Sequence, residues 1–169
     1  MWPIGHPFDF LGYDGGGGIG SGPGMAVGAA LALQGRRLPI GVTGDGDFLM
    51  GATSLWTAVH YQIPLLLIVA NNRSFFNDEL HQEMMARARG RPPGNRWIGQ
   101  RISNPDIDLA GLARAQGATG IGPVKDSADL LGALREGVAA AKAGACCVID
   151  VWVMPGRAPG ATAEIGRAG

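Results

Sequence analysis

Residues 39–74 read PIGVTGDGDFLMGATSLWTAVHYQIPLLLIVANNRS, and this stretch decides the fold. The pattern predicts a strand that ends at Gly44-Asp45-Gly46, a helix over 52–62, and an apolar strand over 64–70 that ends at Asn71-Asn72. An apolar run without alternation is typical of a parallel strand buried on both faces. The carboxyl ends of neighbouring parallel strands meet at one edge of a sheet, where open α/β sheets bind their ligands. We therefore expect the two polar turns to lie side by side at that edge.

The side chains of these turns suit a diphosphate held by a magnesium ion. Asp45 offers a carboxylate oxygen and Asn72 offers a neutral amide oxygen. Mg²⁺ binds few protein oxygens and completes its octahedral shell with water and phosphate oxygens. The glycines beside Asp45 let backbone N–H groups approach an anion closely, and the N-terminus of the following helix favours negative charge. Each turn alone is also compatible with a plain turn that binds nothing, and a nucleotide diphosphate is an alternative ligand.

The two turns taken together resemble the cofactor motif of thiamine diphosphate-dependent enzymes. Three further stretches look like the acetolactate synthase/benzoylformate decarboxylase branch of that family. They are Gly-Gly-Ile-Gly at 17–20, Leu-Trp-Thr-Ala at 55–58 and Asn-Asn-Arg-Ser-Phe-Phe-Asn at 71–77. The resemblance covers roughly residues 11–154, which correspond to the C-terminal, diphosphate-binding domain of such enzymes. It implies an α/β fold of three layers, α/β/α, with a mostly parallel central sheet.

The resemblance also implies which residues contact the cofactor and its metal. Mg²⁺ would be bound by the side chains of Asp45 and Asn72 and by the backbone carbonyl of Ser74, and it would bridge the two phosphates. The backbone around Gly46 and Asp47 would contact those phosphates. The complete implied set of cofactor-binding residues is Gly17, Gly18, Ile19, Gly44, Asp45, Gly46, Asp47, Asn72, Ser74 and Phe75.

The glycine loop upstream carries a second part of the implied site. In related enzymes a large apolar residue of this loop props the two rings of the cofactor into a bent shape. That role falls on Ile19, where many relatives have Met or Leu. The backbone carbonyl of Gly17 would accept a hydrogen bond from the amino group of the cofactor. Composition alone would favour a flexible linker here, because the loop is almost entirely glycine.

The function implied is binding of thiamine diphosphate and Mg²⁺ within a 2-oxo-acid decarboxylating and carboligating enzyme of the acetolactate synthase type. A simple 2-oxo-acid decarboxylase of the benzoylformate decarboxylase type is an alternative. A non-catalytic, partner-dependent subunit or a truncated remnant is another. FAD is possible in a complete enzyme, but nothing in this chain supports it.

No catalytic residue is expected within the chain itself. In the family, a glutamate of a pyrimidine-binding domain activates the cofactor, and that domain belongs to a partner chain or to an N-terminal region. The four glutamates here (Glu79, Glu83, Glu136 and Glu164) do not match that context. We therefore expect a homo- or hetero-oligomer and no turnover by this chain alone.

Composition fits one globular domain of 169 residues, 46% of them hydrophobic, with a formal net charge of +0. We predict a linker over 1–14, the cofactor-binding domain over 15–154 and a flexible tail over 155–169. The neutral charge argues against nucleic-acid or acidic-membrane partners, and no apolar run reaches membrane-spanning length. Cys146 and Cys147 are neighbours that point to opposite faces of a strand, so they read as buried thiols in a reducing, cytoplasmic compartment.

The remaining pattern predicts four more helices and two more strands. The helices are expected over 24–34, from Asn77 or Asp78 to about 88, over 107–116 and over 127–144, and the strands over 118–124 and 146–153. Asn or Asp at 77–78, the stretch 104–106 and Ser127 are the predicted helix caps.

Five arginines between residues 87 and 101 make a local basic run. This run is either a solvated face or a cover for the active-site mouth that attracts a carboxylate substrate. His81 lies beside it and is the histidine that we retain as a candidate site residue.

Overall fold

The computed structural model describes residues 4–12, 18–33 and 35–156, and all structural statements refer to these ranges. Gly17 and residues 157–169 of the predicted tail lie outside them. In chain order the elements are α1 (Ser21–Leu33), β1 (Ile40–Gly44), α2 (Asp45–Gly51), α3 (Ser54–His60), β2 (Leu65–Asn71), α4 (Phe76–Ala88), α5 (Leu109–Ala115), β3 (Thr119–Val124), α6 (Ser127–Lys142) and β4 (Cys146–Trp152).

The four strands form one parallel sheet in the order β1-β2-β4-β3. Alternate residues of β2 point to opposite faces, so this strand contributes to two hydrophobic clusters. Leu65 and Leu67 pack with α1, α2, α3 and α5, whereas Leu66 packs with α6. The result is the expected three-layer α/β/α arrangement, and its sheet is parallel throughout.

The region after β1 differs from the single helix that we predict over 52–62. The first helix begins directly at Asp45 and ends at Gly51, and a second helix starts at Ser54. A Cβ atom at Gly51 would lie 2.3 Å from the carbonyl oxygen of Gly20, so the glycine loop packs closely where α2 ends. The second helix stops at His60 because Gln62 has a positive φ of 53°. The sequence Asp-Gly-Asp has low helix propensity, which is why the pattern misses α2.

Three predicted helix caps are wrong. Helix α4 begins at Phe76 without a side-chain cap, so Asn77 and Asp78 lie inside its first turn. Helix α5 is capped by Asp108, and α6 is capped by Asp126, whose carboxylate accepts from Ala128 N at 2.9 Å. Asp126 has an extended backbone, as an N-cap residue requires, whereas Ser127 is already helical.

The two cysteines confirm the prediction of buried, unpaired thiols. Both are free and buried, with Cys146 in the cluster that includes α1 and Cys147 in the cluster that includes α6. Burial raises the pKa of each thiol to about 11, so both are protonated and unreactive at neutral pH.

Strand β1 forms one edge of the described sheet. Val42 of this strand is 72% exposed, and Ile40 on the same face is also exposed.

None of the helices given above combines the length and the apolar character needed to cross a lipid bilayer.

Candidate functional site

The two polar turns meet at the carboxyl edge of the sheet. Strands β1 and β2 are parallel neighbours, and their register pairs Gly44 with Ala70. Asp45 therefore follows the end of β1 beside the point where Asn71 ends β2. This confirms the prediction that the strand pattern brings the two turns together.

Three residues of the implied metal site converge on one backbone amide. The N–H of Ser74 donates to Oδ2 of Asp45 at 3.1 Å and to Oδ1 of Asn72 at 2.9 Å. The other carboxylate oxygen of Asp45 accepts from the N–H of Gly46 at 3.0 Å. The two side-chain oxygens are thus already gathered around Ser74.

Asp45 carries a charge that its protein surroundings do not neutralise. Asp45 is only 3% exposed, and burial raises the pKa of its carboxyl. Hydrogen bonds from the backbone N–H groups of Gly46 and Ser74 partly oppose this rise. Within the described part of the chain Asp45 makes no ion pair. A buried carboxylate is costly unless a cation balances it, so this group fits a metal ion.

The donor set points to a hard cation. Asp45 supplies a carboxylate and Asn72 an amide oxygen, and the described residues hold no group of three or more His, Cys, Asp or Glu that could bind a metal. One carboxylate with neutral oxygens suits Mg²⁺ that is shared with phosphate, whereas zinc prefers nitrogen and sulfur ligands.

Close packing surrounds the backbone next to Asp45. A Cβ atom at Gly46 would lie 2.2 Å from the ring of Phe75, so glycine lets this ring contact the turn. At Gly44, by contrast, a Cβ atom would meet open space. The two implied cofactor residues Gly46 and Phe75 are therefore in direct contact.

The glycine loop is tied to the same turn by Asp47. The carboxylate of Asp47 accepts from the N–H of Gly20 at 2.5 Å and from the hydroxyl of Thr43. These bonds tie Gly20 to α2, and the neighbouring Ile19 is 52% exposed. The implied contact between the backbone of Asp47 and a diphosphate stays a prediction.

Asn71 and Asp150 support the site from beneath. Nδ2 of Asn71 donates to Oδ1 of Asp150 at 3.0 Å. Oδ1 of Asn71 accepts from the N–H of Arg73 at 3.1 Å. Asp150 is fully buried, and burial raises the pKa of its carboxyl. The first asparagine of the pair therefore anchors the turn to β4, which leaves Asn72 for the site. The signal for Asp150 in the sequence is one acidic residue inside an apolar strand.

Two cations flank an indole near the same edge. The guanidinium of Arg73 lies 4.5 Å from the ring centroid of Trp152, and the ammonium of Lys125 lies 4.1 Å from it. Trp152 and Arg73 also line a cavity of about 10 Å³ beside Asp45. The charge of Lys125 acts on the nearby carboxyl of Asp150, where it partly opposes the rise in pKa that burial causes.

Sequence reasoning missed the role of Glu79 in this region. Glu79 is buried and contacts Ser74, and it pairs with two arginines of the basic run, Arg96 and Arg101. Ion pairs with Glu79 thus hold Arg96 and Arg101 beside the site. The other arginines of the run, Arg87, Arg89 and Arg91, fit the alternative of a solvated face. His81 is exposed on α4 and stays an untested candidate.

A parallel α/β sheet with a buried Asp, an Asn and a glycine loop at its carboxyl edge defines a diphosphate-binding domain. The chain matches, over residues 1–151, the family described as thiamine pyrophosphate enzyme, C-terminal TPP binding domain. It belongs to this family, and the resemblance drawn from the motifs is confirmed at that level.

Individual relatives lie on the two branches that the motifs resemble. Benzoylformate decarboxylase of Pseudomonas aeruginosa is 31% identical over 132 residues, which cover 73% of this chain and 21% of that protein. Acetolactate synthase of Bacillus subtilis is 32% identical over 113 residues, covering 67% of this chain and 18% of that protein. The chain thus spans about a fifth of the length of these curated relatives.

A solved structure gives the same result for the fold. The thiamine diphosphate-dependent 4-hydroxybenzoylformate decarboxylase of Rhodococcus jostii RHA1 superposes with a TM-score of 0.66 at 29% sequence identity. The match covers 85% of this chain and 24% of that one. The predicted α/β fold is confirmed by this likeness.

Proposed function

We propose that this domain binds thiamine diphosphate through Mg²⁺ and serves an enzyme that decarboxylates a 2-oxo acid. One observation carries the magnesium site: the side-chain oxygens of Asp45 and Asn72 converge on the amide of Ser74. The uncompensated burial of Asp45 supports a cation at this point, because a divalent ion would balance the buried charge.

Each residue of the site has a separate task in this proposal. Asp45 and Asn72 bind the metal by their side chains, and Ser74 binds it by its backbone carbonyl. The backbone of Gly46 and Asp47 contacts the phosphates. Ile19 would support the cofactor, and the carbonyl of Gly17, which lies outside the described residues, would accept from its amino group. The cofactor supplies the electron sink that decarboxylation of a 2-oxo acid requires.

The reaction that we favour is of the acetolactate synthase type. The acyl unit left after decarboxylation is then joined to a second 2-oxo acid. The benzoylformate decarboxylase type, which ends with decarboxylation, is the alternative, and the P. aeruginosa relative supports it. The two relatives have nearly equal identity to this chain, 31% and 32%, so identity alone does not separate the branches.

A partner surface completes the site in either reaction. A pyrimidine-binding domain, from another chain or another region of a longer protein, provides the activating glutamate. A non-catalytic, partner-dependent subunit would keep the same cofactor contacts but would not turn over with such a partner.

Thermal unfolding tests the binding of cofactor and metal. At a hundred times its Kd a ligand adds about 2.7 kcal/mol to the free energy of unfolding, which raises the midpoint by several degrees. We expect this rise with thiamine diphosphate and Mg²⁺ together, a much smaller rise without Mg²⁺, and none in Asp45→Ala. The control Asp129→Ala removes an exposed carboxylate of α6, on the opposite face of the sheet, and should shift like the wild type.

The outcomes separate the alternatives. An equal shift in Asp45→Ala, or no Mg²⁺-dependent shift at millimolar cofactor, would contradict the proposed site. With the site established and a pyrimidine-binding partner added, product analysis decides the reaction. A carboligation product indicates the synthase type, and an aldehyde with carbon dioxide indicates the decarboxylase type.

A further inference from the structure

Glu79 places a buried carboxylate directly behind the metal-binding turn. It is the buried residue of α4, with 1% of its surface exposed. Its Oε1 accepts from the hydroxyl of Ser74 at 2.5 Å and from Nε of Arg101 at 3.1 Å. Its Oε2 is buried without a hydrogen bond and lies 3.8 Å from Nε of Arg96. Burying a carboxylate costs free energy, and the bonds to Ser74 and Arg101 offset part of that cost. We therefore ask what this buried charge does for the site.

The same carboxylate joins two chain segments that are far apart in sequence. Residues 73–75 and 100–102 run side by side, with an antiparallel bridge between Ser74 and Arg101. Phe75 N donates to the carbonyl of Gln100 at 2.9 Å, and Ile102 N donates to the carbonyl of Arg73 at 2.8 Å. Glu79 contacts one residue from each segment, Ser74 and Arg101, so it lies where it can hold the pair together.

We propose that Glu79 is a positioning residue for the metal-binding turn. Its carboxylate fixes Ser74 against Arg101, which keeps the Ser74 amide directed at Asp45 and Asn72 and holds residues 96–101 at the rim of the site. Order present before the ligand arrives lowers the cost of binding it. The consequence for metal binding depends on the proposed function, whereas the clamp between the two segments does not.

A carboxylate suits this position better than its neutral isostere. It accepts from a hydroxyl and a guanidinium at once, and its bonds to cations are stronger than neutral ones. Gln at 79 keeps the volume and one acceptor but loses the charge that pairs with Arg96 and Arg101. Glu83, one turn further along α4, pairs with Arg87 and Arg96 and makes no hydrogen bond to Ser74. It is therefore the matched control.

Hydrogen–deuterium exchange of the full chain without ligand tests the clamp. In Glu79→Gln we expect amides of residues 73–75 and 100–102 to exchange roughly tenfold faster, because the hydrogen bonds to Oε1 lose the strength that the charge gives them. In Glu83→Gln these segments should exchange at the wild-type rate. Urea unfolding of each variant separates a local effect from global destabilisation. Wild-type exchange in Glu79→Gln, or an increase spread equally over the sheet, would overturn the proposal.

Magnesium titration supplies a second, independent measurement. With saturating thiamine diphosphate, the Mg²⁺ concentration that gives half of the thermal shift should rise several-fold in Glu79→Gln and stay unchanged in Glu83→Gln. An unchanged midpoint in Glu79→Gln would overturn the metal-binding part. If the wild type itself shows no Mg²⁺-dependent shift, the proposed function fails, and the exchange result still decides the clamp.

Two further variants keep the test valid should Glu79→Gln fold poorly. Ser74→Ala removes the hydroxyl but retains the backbone carbonyl, and Arg101→Gln alters a side chain that is 56% exposed. Each breaks one of the two bonds to Oε1, so each should speed exchange in both segments. Wild-type exchange in both variants would contradict the proposal.

Discussion

At the scale of the residue, the site is built around two buried carboxyls. Asp45 is held by backbone N–H groups and Asp150 by the amide of Asn71. Neither makes an ion pair within the described ranges, and the charge of Asp45 contributes to the raised pKa of Asp150. Burial disfavours the charged form of both carboxyls, and a cation bound at this edge would favour the charged form of Asp45.

Gly46 gives a prediction about packing. A Cβ atom at this position would overlap the ring of Phe75, so we expect Gly46→Ala to lower the free energy of unfolding by about 1–3 kcal/mol. Gly44→Ala is the control, because its φ of −80° suits alanine and its Cβ atom meets open space. Urea unfolding without cofactor measures both variants. Equal losses in the two would contradict the packing argument, and Gly46→Ala combined with Phe75→Ala should recover part of the loss.

Asp150 gives a prediction about pH. Burial raises the pKa of its carboxyl above the ordinary value of 3.8, so the folded state retains this proton to higher pH than the unfolded state does. The stability contributed by the group is full below the unfolded pKa and is lost as pH rises through the folded pKa. Asp150→Asn cannot ionise, so its stability relative to the wild type should increase with pH across that window.

Urea unfolding between about pH 3.5 and pH 8, without cofactor, measures this difference. Asp129→Asn, at an exposed site on α6, is the control for the general effect of replacing a carboxyl by an amide. A relative stability of Asp150→Asn that falls as pH rises would show that the carboxyl is stabilised in its charged form.

At the scale of the element, strand order and helix starts place the functional groups. Helix α2 begins at Asp45 without an intervening loop, so the last residue of β1 is already the N-cap residue. The apolar strands were predictable because their pattern is local and unbroken. The caps of α5 and α6 were not, since a choice between neighbouring polar residues depends on where the backbone enters the helix, and α4 has no side-chain cap.

The cap of α6 can be tested directly. Asp126→Ala removes the carboxylate that accepts from Ala128 N, and we expect it to cost about 1 kcal/mol of stability. Ser127→Ala alters the residue that the sequence favours as the cap and should change stability by less than about 0.5 kcal/mol. Urea midpoints at neutral pH compare the two. A larger loss in Ser127→Ala would mean that serine is the true cap.

At the scale of the whole molecule, the proposed cofactor site lies at one edge of the domain. The residues that would bind the metal and diphosphate lie along one edge of the sheet. Two of the described glutamates, Glu79 and Glu83, pair with arginines. The third, Glu136, lies on α6, on the other face of the sheet from α1 to α3. That the activating glutamate comes from another domain stays a prediction.

We accordingly expect no turnover by the purified chain. With thiamine diphosphate, Mg²⁺ and a 2-oxo acid such as pyruvate or benzoylformate, carbon dioxide release should stay at the background rate. A pyrimidine-binding domain supplied as a partner should be needed for release. Substrate-dependent release by the chain alone, abolished in Asp45→Ala, would contradict this expectation.

The sequence by itself determined the family, the α/β class and the edge at which the two turns meet. The class and the edge follow from apolar strands of fixed length, and the family follows from the resemblance of short motifs. Only the tertiary structure decided which polar residues support that edge. Asn71 meets Asp150 across 79 positions, and Ser74 meets Arg101 through a β-bridge, because the folded chain brings distant segments together. Periodicity reports which face of an element is buried, but it carries no information about the partner that a buried polar group finds there.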